Sequence, residues 1–268
     1  MTQAVGTSSA CGLPIALCAA AGTLAGLYGV GGGLIIVPAL IVAFELQGVA
    51  PVVAMHLAVG TSLATIVVTG ASSAWGHHRR GNIRRDWFLA LLPGLILGAI
   101  AGVFVADSLS GGRLGTLFGV FVLLVALKMA LGRGPTIGDI QPGRVAMGVA
   151  GAVIGGVSAL FGIGGGTLSV PWLSRCGATM TQAVGTSSAC GLPIALCGAA
   201  TFVVVGWGNP LLPTGAVGFV MLPALLGIVL ASVPCARLGV VLAHRLSARV
   251  LRLSFAALLA VVGLKFLL

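Results

Sequence analysis

LYGVGGGLIIVPAL, residues 27–40, and LFGIGGGTLSVPWL, residues 160–173, follow one pattern, G-[VI]-G-G-G-x-[IL]-x-V-P-x-L, with one copy in each half of the 268-residue chain. Both copies lie in apolar sequence, where three glycines in a row make poor helix, each costing up to about 1 kcal/mol against alanine. The pattern predicts one interrupted helix at Gly31, Gly32 and Gly33 and a second at Gly164, Gly165 and Gly166. A helix restarting at Leu34 or Thr167 turns free N–H groups and a positive dipole end into the break. Such an end attracts an anion without any charged side chain, and missing side chains let a ligand approach the backbone closely. Pro38 and Pro171 are expected near the first turn of each restarted helix, where a missing N–H costs least. Close packing of helices is the competing use of such glycines. No G-K-[ST] follows either run, which argues against a phosphate P-loop.

The rest of the chain decides the solvent. Residues of the set AVILMFWYC make up 58%, glycine contributes 43 more, and only 7% are charged. The mean hydropathy is +1.17. A soluble domain carries about 25% charged residues, so this composition excludes one, and it is far too apolar for a disordered chain. A spanning helix takes about 20 apolar residues. The chain therefore reads as an all-α membrane protein with about eight to ten transmembrane segments: 10–28, 34–50, 52–75, 87–106, 113–131, 144–162, 167–179, 181–206, 214–236 and 246–267. The second and seventh are short and read as half-spans or re-entrant segments. Irregular backbone in such a protein belongs where it lines a cavity or is buried in protein.

Fourteen Lys and Arg residues face Glu45, Asp86, Asp107 and Asp139, giving a net charge of +10. If every segment crosses, all the basic residues except Arg113 and Lys265 fall on one side. That is the positive-inside pattern, and it places the Arg-rich loops 76–86, 132–144 and 237–252 in the cytoplasm. The same pattern accounts for the basic charge through membrane orientation, so no nucleic-acid partner is expected. Trp75, Trp87 and Trp207 stand at predicted span ends as interface anchors, and Lys128 and Lys265 can snorkel. The six cysteines include no C-x-x-C pair and read as small apolar residues.

Further matches follow the glycine motifs in the same order. AVGTS recurs at 58–62 and 183–187, LLP at 91–93 resembles MLP at 221–223, and FGVFVLLVALKMAL at 118–131 resembles FAALLAVVGLKFLL at 255–268. Five segments in each half, an odd number, put the second half upside down relative to the first, an architecture of transporters. The organisation expected is a first repeat over 1–131, a cytoplasmic linker at 132–143 and an inverted second repeat over 144–268. Residues 1–18 repeat 180–197 letter for letter, so Thr7, Ser8 and Cys11 carry no independent weight.

The AVGTS segments supply the second set of site candidates: Thr61, Ser62, Thr186 and Ser187, with Ser188 beside them. Neutral hydroxyls suit an anion that must bind and then leave, although a hydroxyl in a spanning helix can equally bond back to its own carbonyls. Gln182 offers an amide N–H donor, and His56 is either a proton relay or donor or a satisfied interior histidine. No carboxylate pair, metal-ligand cluster or Ser/His/Asp set is visible, so no enzyme, metal or cofactor is expected.

With its paired glycine motifs and following AVGTS segments, the chain resembles the sulfite exporter TauE/SafE family of bacterial membrane proteins over about residues 20–268. The resemblance implies a multi-spanning inner-membrane protein that moves small sulfur-containing or organic anions, sulfite and sulfoacetate among them. It implies that the glycines at 29–33 and 162–166 and the hydroxyls at 61–62 and 186–188 are the matching positions. The expected function is export of a small anion such as sulfite or an organosulfonate. The expected partners are that anion and the bilayer, with a homo-oligomer left open. An anion channel and a non-transporting membrane scaffold are the alternatives.

Overall fold

The computed structural model of the chain describes residues 33–131, 138, 142–230 and 248–267. The expected first span at 10–28, Gly31, Gly32 and most of the central linker lie outside the described residues. The described part is helical almost throughout: α1 (Gly33–Leu46), α2 (Pro51–Arg79), α3 (Arg85–Ser108), α4 (Gly111–Ala130), α5 (Arg144–Leu160), α6 (Gly166–Arg175), α7 (Met180–Val205), a helical run α8 at 222–230, and α9 (Ala248–Lys265). Among the described residues α2, α3, α4 and α7 are long and apolar enough to cross a membrane. The 10-residue α6 reaches about 15 Å, short of the ~30 Å hydrocarbon core, as expected of the seventh segment, while α1 is described from Gly33 onward.

Two boundaries differ from the sequence reading. The ninth segment does not begin as helix at 214. A two-stranded hairpin, β1 (Ala216–Val217) paired antiparallel with β2 (Val220–Met221), precedes α8. Gly215 and Gly218 take φ of 90° and 53°, conformations that close turns and end helices. The strand residues are apolar, so hydropathy alone runs them into the span. Helix α2 also continues to Arg79, making His77, His78 and Arg79 its last turn. Basic side chains there complement the helix dipole.

Three helix pairs organise the molecule, each packed closely at glycine. Helices α2 and α7 run antiparallel: Leu63 Cδ1 meets Gly198, while Ser73 Oγ donates to Ser188 Oγ at 3.3 Å. Helices α4 and α9 are also antiparallel, Gly119 lying against Gly263 and Phe266. Helices α3 and α5 run parallel, with Gly94, Gly98 and Gly102 stacked on the backbone of Gly148, Ala152 and Gly156. Without water to drive association, helices in lipid gain most from such close approach. Leu40, Phe44, Leu57, Phe118, Ile163 and Phe202 fill the interior, while Leu97, Phe104, Leu124, Val153 and Val204 face outward, as a lipid-facing belt requires.

The chain ends of these pairs sort by charge. The loop after α2, the starts of α3, α5 and α7, and the end of α6 gather at one end of the bundle. Asn82 packs against Gly185, and Gly138 N–H donates to Ser174 O at 3.2 Å. That end carries Arg79, Arg80, Arg84, Arg85, Arg144 and Arg175. Arg84 pairs with Asp86 at 2.9 Å and lies 4.2 Å over the Trp87 ring. Glu45 and Lys265 pair at 2.7 Å and tie α1 to α9.

Candidate functional site

The second glycine motif interrupts the chain between α5 and α6. Gly162 and Gly165 hold φ of 68° and 76°, a region costly to any residue with a Cβ. Gly165 is the N-cap of α6, and no side chain caps that end. The first helical bonds run from Leu168 N–H and Ser169 N–H to Gly165 O, at 3.1 and 2.8 Å. Gly166 and Thr167 therefore present the open N–H groups that begin any helix. Pro38 and Pro171 lie inside α1 and α6, deeper than the expected first turn, so Pro171 costs α6 the bond to Thr167 O.

Three other helices close around this break. Gly33, the described glycine of the first motif, abuts the Gly162 carbonyl, and a Cβ on it would stand 2.9 Å from Ile163 Cα. Ser62 Oγ–H donates to Gly162 O at 2.9 Å. A Cβ on Gly191 of α7 would stand 2.5 Å from Gly164 O. The two glycine motifs thus meet through Gly33, Gly162 and Ile163; Gly31 and Gly32 lie outside the described residues.

The hydroxyls of the two AVGTS segments are not all brought together. In the register of the antiparallel α2–α7 pair, Ser62 and Ser187 stand about 18 Å apart along the helices. Thr61 Oγ1 accepts from Met221 N–H at 2.9 Å, and Thr186 Oγ1 accepts from Arg84 N–H at 3.0 Å. Each preceding glycine makes the matching approach, Gly60 to the Phe219 backbone and Gly185 to the Asn82 backbone. Each AVGTS segment therefore clasps, in the other half of the chain, the turn that leads into the next helix.

Ser187 is different. It is buried beside the break, 3.9 Å from a Cβ built on Gly166, and its Oγ has no hydrogen-bond partner among the described residues. The sequence reading missed two residues that share this condition. Ser158, near the end of α5, and Ser169, in the first turn of α6, are both fully buried with unpartnered hydroxyls. A Cβ on Gly165 would stand 3.4 Å from Ser169 Oγ and 3.8 Å from Ser158 Oγ. Thr167 Oγ1 is a fourth such atom. One signal for them was present in the aligned motifs. Where the second half has Ser158, Thr167 and Ser169, the first has Ala25, Leu34 and Ile36.

The remaining candidates have other partners. His56 Nε2 lies 3.0 Å from Ala106 O, with its ring 5.3 Å from that of Phe219. Gln182 forms a capping box with Thr179 at the exposed start of α7. Ser188 Oγ–H donates to Val184 O at 3.0 Å. A surface cleft of about 280 Å³ between His78, Ile83, Arg85, Phe88, Leu89 and Ala189 includes no residue of the break. What the break offers is a helix N-terminus and neutral hydroxyls enclosed by apolar packing, where their dipoles act with little screening.

Comparison with known proteins gives matches at the level of family. The family model described as sulfite exporter TauE/SafE matches residues 13–266. A probable membrane transporter protein of Haemophilus influenzae is 39% identical over 259 residues, covering 93% of this chain and 95% of the relative. One of Methanocaldococcus jannaschii is 27% identical over 251 residues, covering 92% and 91%. A third, YunE of Bacillus subtilis, is 30% identical over 170 residues, covering 56% and 62%. No solved structure matches the chain.

Proposed function

We propose an anion-export function from one premise: the chain belongs to the sulfite exporter TauE/SafE family, a family of membrane transporters. The cargo is a small anion such as sulfite or an organosulfonate, exported across a bacterial inner membrane. Two inverted repeats, 1–131 and 144–268, are joined by a cytoplasmic linker at 132–143, and loops 76–86, 132–144 and 237–252 face the cytoplasm. The clasps at Gly60–Thr61 and Gly185–Thr186 support the repeat reading, because the matching glycine and threonine of each segment both hold a turn in the other half of the chain.

One observation carries the choice of an anion. Helix α6 starts inside the protein at Gly165 without a side-chain cap, with open N–H groups and, among the described residues, no buried Asp, Glu, Lys or Arg. A partial positive charge of about half a unit there attracts a negative ligand, and neutral donors leave it free to depart. Export needs no buried carboxylate relay. With the inside negative, each negative charge that leaves gains about 2.3 kcal/mol per 100 mV.

The test is flux from proteoliposomes of the purified protein, with sulfite, methanesulfonate and acetate under an imposed potential. Saturable efflux with counter-anion exchange is the expected result. Flux that never saturates means a channel, and no flux of any anion at any potential removes the reading.

A further inference from the structure

Four buried hydroxyls at the break lack partners among the described residues; Thr167 is one, and the other three come from three different helices, Ser158 at the end of α5, Ser169 in α6 and Ser187 in α7. A buried hydroxyl left unpaired is costly, and most native examples have a reason. Several hydroxyls of α2 and α7 are satisfied locally. Thr65, Thr69, Ser188 and Thr201 each donate to the carbonyl four residues back. Ser158, Ser169 and Ser187 do not.

Resting on the anion-transport reading above, we propose that Ser158, Ser169 and Ser187 bind the transported anion at Gly165, and that this cup exists in the second half only. The three hydroxyls donate to the anion's oxygens while Gly166 and Thr167 N–H close the cup from below. Gly165 is required because any Cβ there would stand among Ser169 Oγ, Ser158 Oγ and Ile194 Cδ1, at 3.4, 3.8 and 3.0 Å. Three hydroxyls from three helices fit a group with several oxygens on one centre better than a planar carboxylate. In the first half the aligned positions, Ala25 and Ile36, carry no hydroxyl, and Ser62, the counterpart of Ser187, is committed to Gly162 O.

The experiment compares wild type, Ser158→Ala, Ser169→Ala and the control Thr69→Ala, whose hydroxyl is bonded within α2. Sulfite and methanesulfonate are the probes. Efflux kinetics are read in proteoliposomes, and thermal unfolding in detergent is read with and without each anion. Each Ser→Ala variant is expected to raise KM about tenfold, the worth of one hydrogen bond to a charged group. Each should also lose most of the anion-induced rise in Tm, while its anion-free Tm stays level or rises because an unpaired hydroxyl has gone. Thr69→Ala should leave KM unchanged.

If wild type moves sulfite and both serine variants keep its KM, the cup is wrong and the transport reading stands. If the variants lose anion-free Tm but not affinity, the hydroxyls are structural and the cup is equally overturned. If wild type neither moves nor is stabilised by any probe, both readings fall together.

Discussion

Thr61 and Thr186 each hold a backbone N–H that is distant in sequence, 160 and 102 residues away. Removing the hydroxyl leaves that N–H without its acceptor, at about 1–3 kcal/mol. Thr186→Val should therefore lower the unfolding midpoint in detergent, and Thr186→Ser should restore most of it. Gly165→Ala combines left-handed backbone, worth about 1–2 kcal/mol, with a Cβ 3.0 Å from Ile194 Cδ1. It should lower both stability and transport. Recurrence made the AVGTS segments visible in the sequence, but it could not name Met221 or Arg84 as their partners, because nothing local encodes a contact between halves. Ser158 and Ser169 escaped for a related reason. A serine in an apolar helix reads the same whether it bonds back to its own turn or points into a break. The glycine run at 164–166 was legible because poor helix propensity is a local cost.

Helices α3 and α5 show how much of the element scale rests on single atoms. A Cβ on Gly98 or Gly102 falls on the backbone of Ala152 or Gly156. Overpacking a close-fitted interior typically costs about 1–3 kcal/mol. Gly98→Val is expected to cost at least that much in thermal unfolding. Gly70 of α2, whose added Cβ would meet Ile66 Cγ2 at an ordinary 3.6 Å, is the contrast. There Gly70→Ala should stabilise by up to about 1 kcal/mol through helix propensity alone. The sequence reading offered close packing as the rival explanation for the motif glycines. Both uses occur: Gly33 and Gly164 pack closely against Gly162 and Gly191 at the break, and a longer glycine seam among the described residues runs along α3 and α5, where spacing of four residues lines one face. The hairpin at 216–221 was hidden because its short strands are as apolar as the helix that follows.

At the scale of the molecule, the loop after α2 and the starts of α3, α5 and α7 share one end, while the end of α7 lies at the other. Cysteine labelling tests this directly. In a background without native cysteines, Arg80→Cys and Asn209→Cys should react with impermeant reagents from opposite sides of the membrane. Labelling from the same side would overturn the topology. The gathering of Arg79, Arg80, Arg84, Arg85, Arg144 and Arg175 at one end was legible from the sequence, because it follows from which loops carry charge and not from any particular contact. The repeated words were legible in the sequence, while the contacts between the halves were not. Those contacts have a mechanical consequence. The Thr61 and Thr186 clasps lie about 21 Å apart along α2 and α7, towards opposite ends of that pair. Each fastens a different end of the α2–α7 pair, so loosening one leaves the other end fastened. Weakening Thr61 alone and Thr186 alone should speed amide exchange at opposite ends of the pair, and weakening both should speed it at both ends.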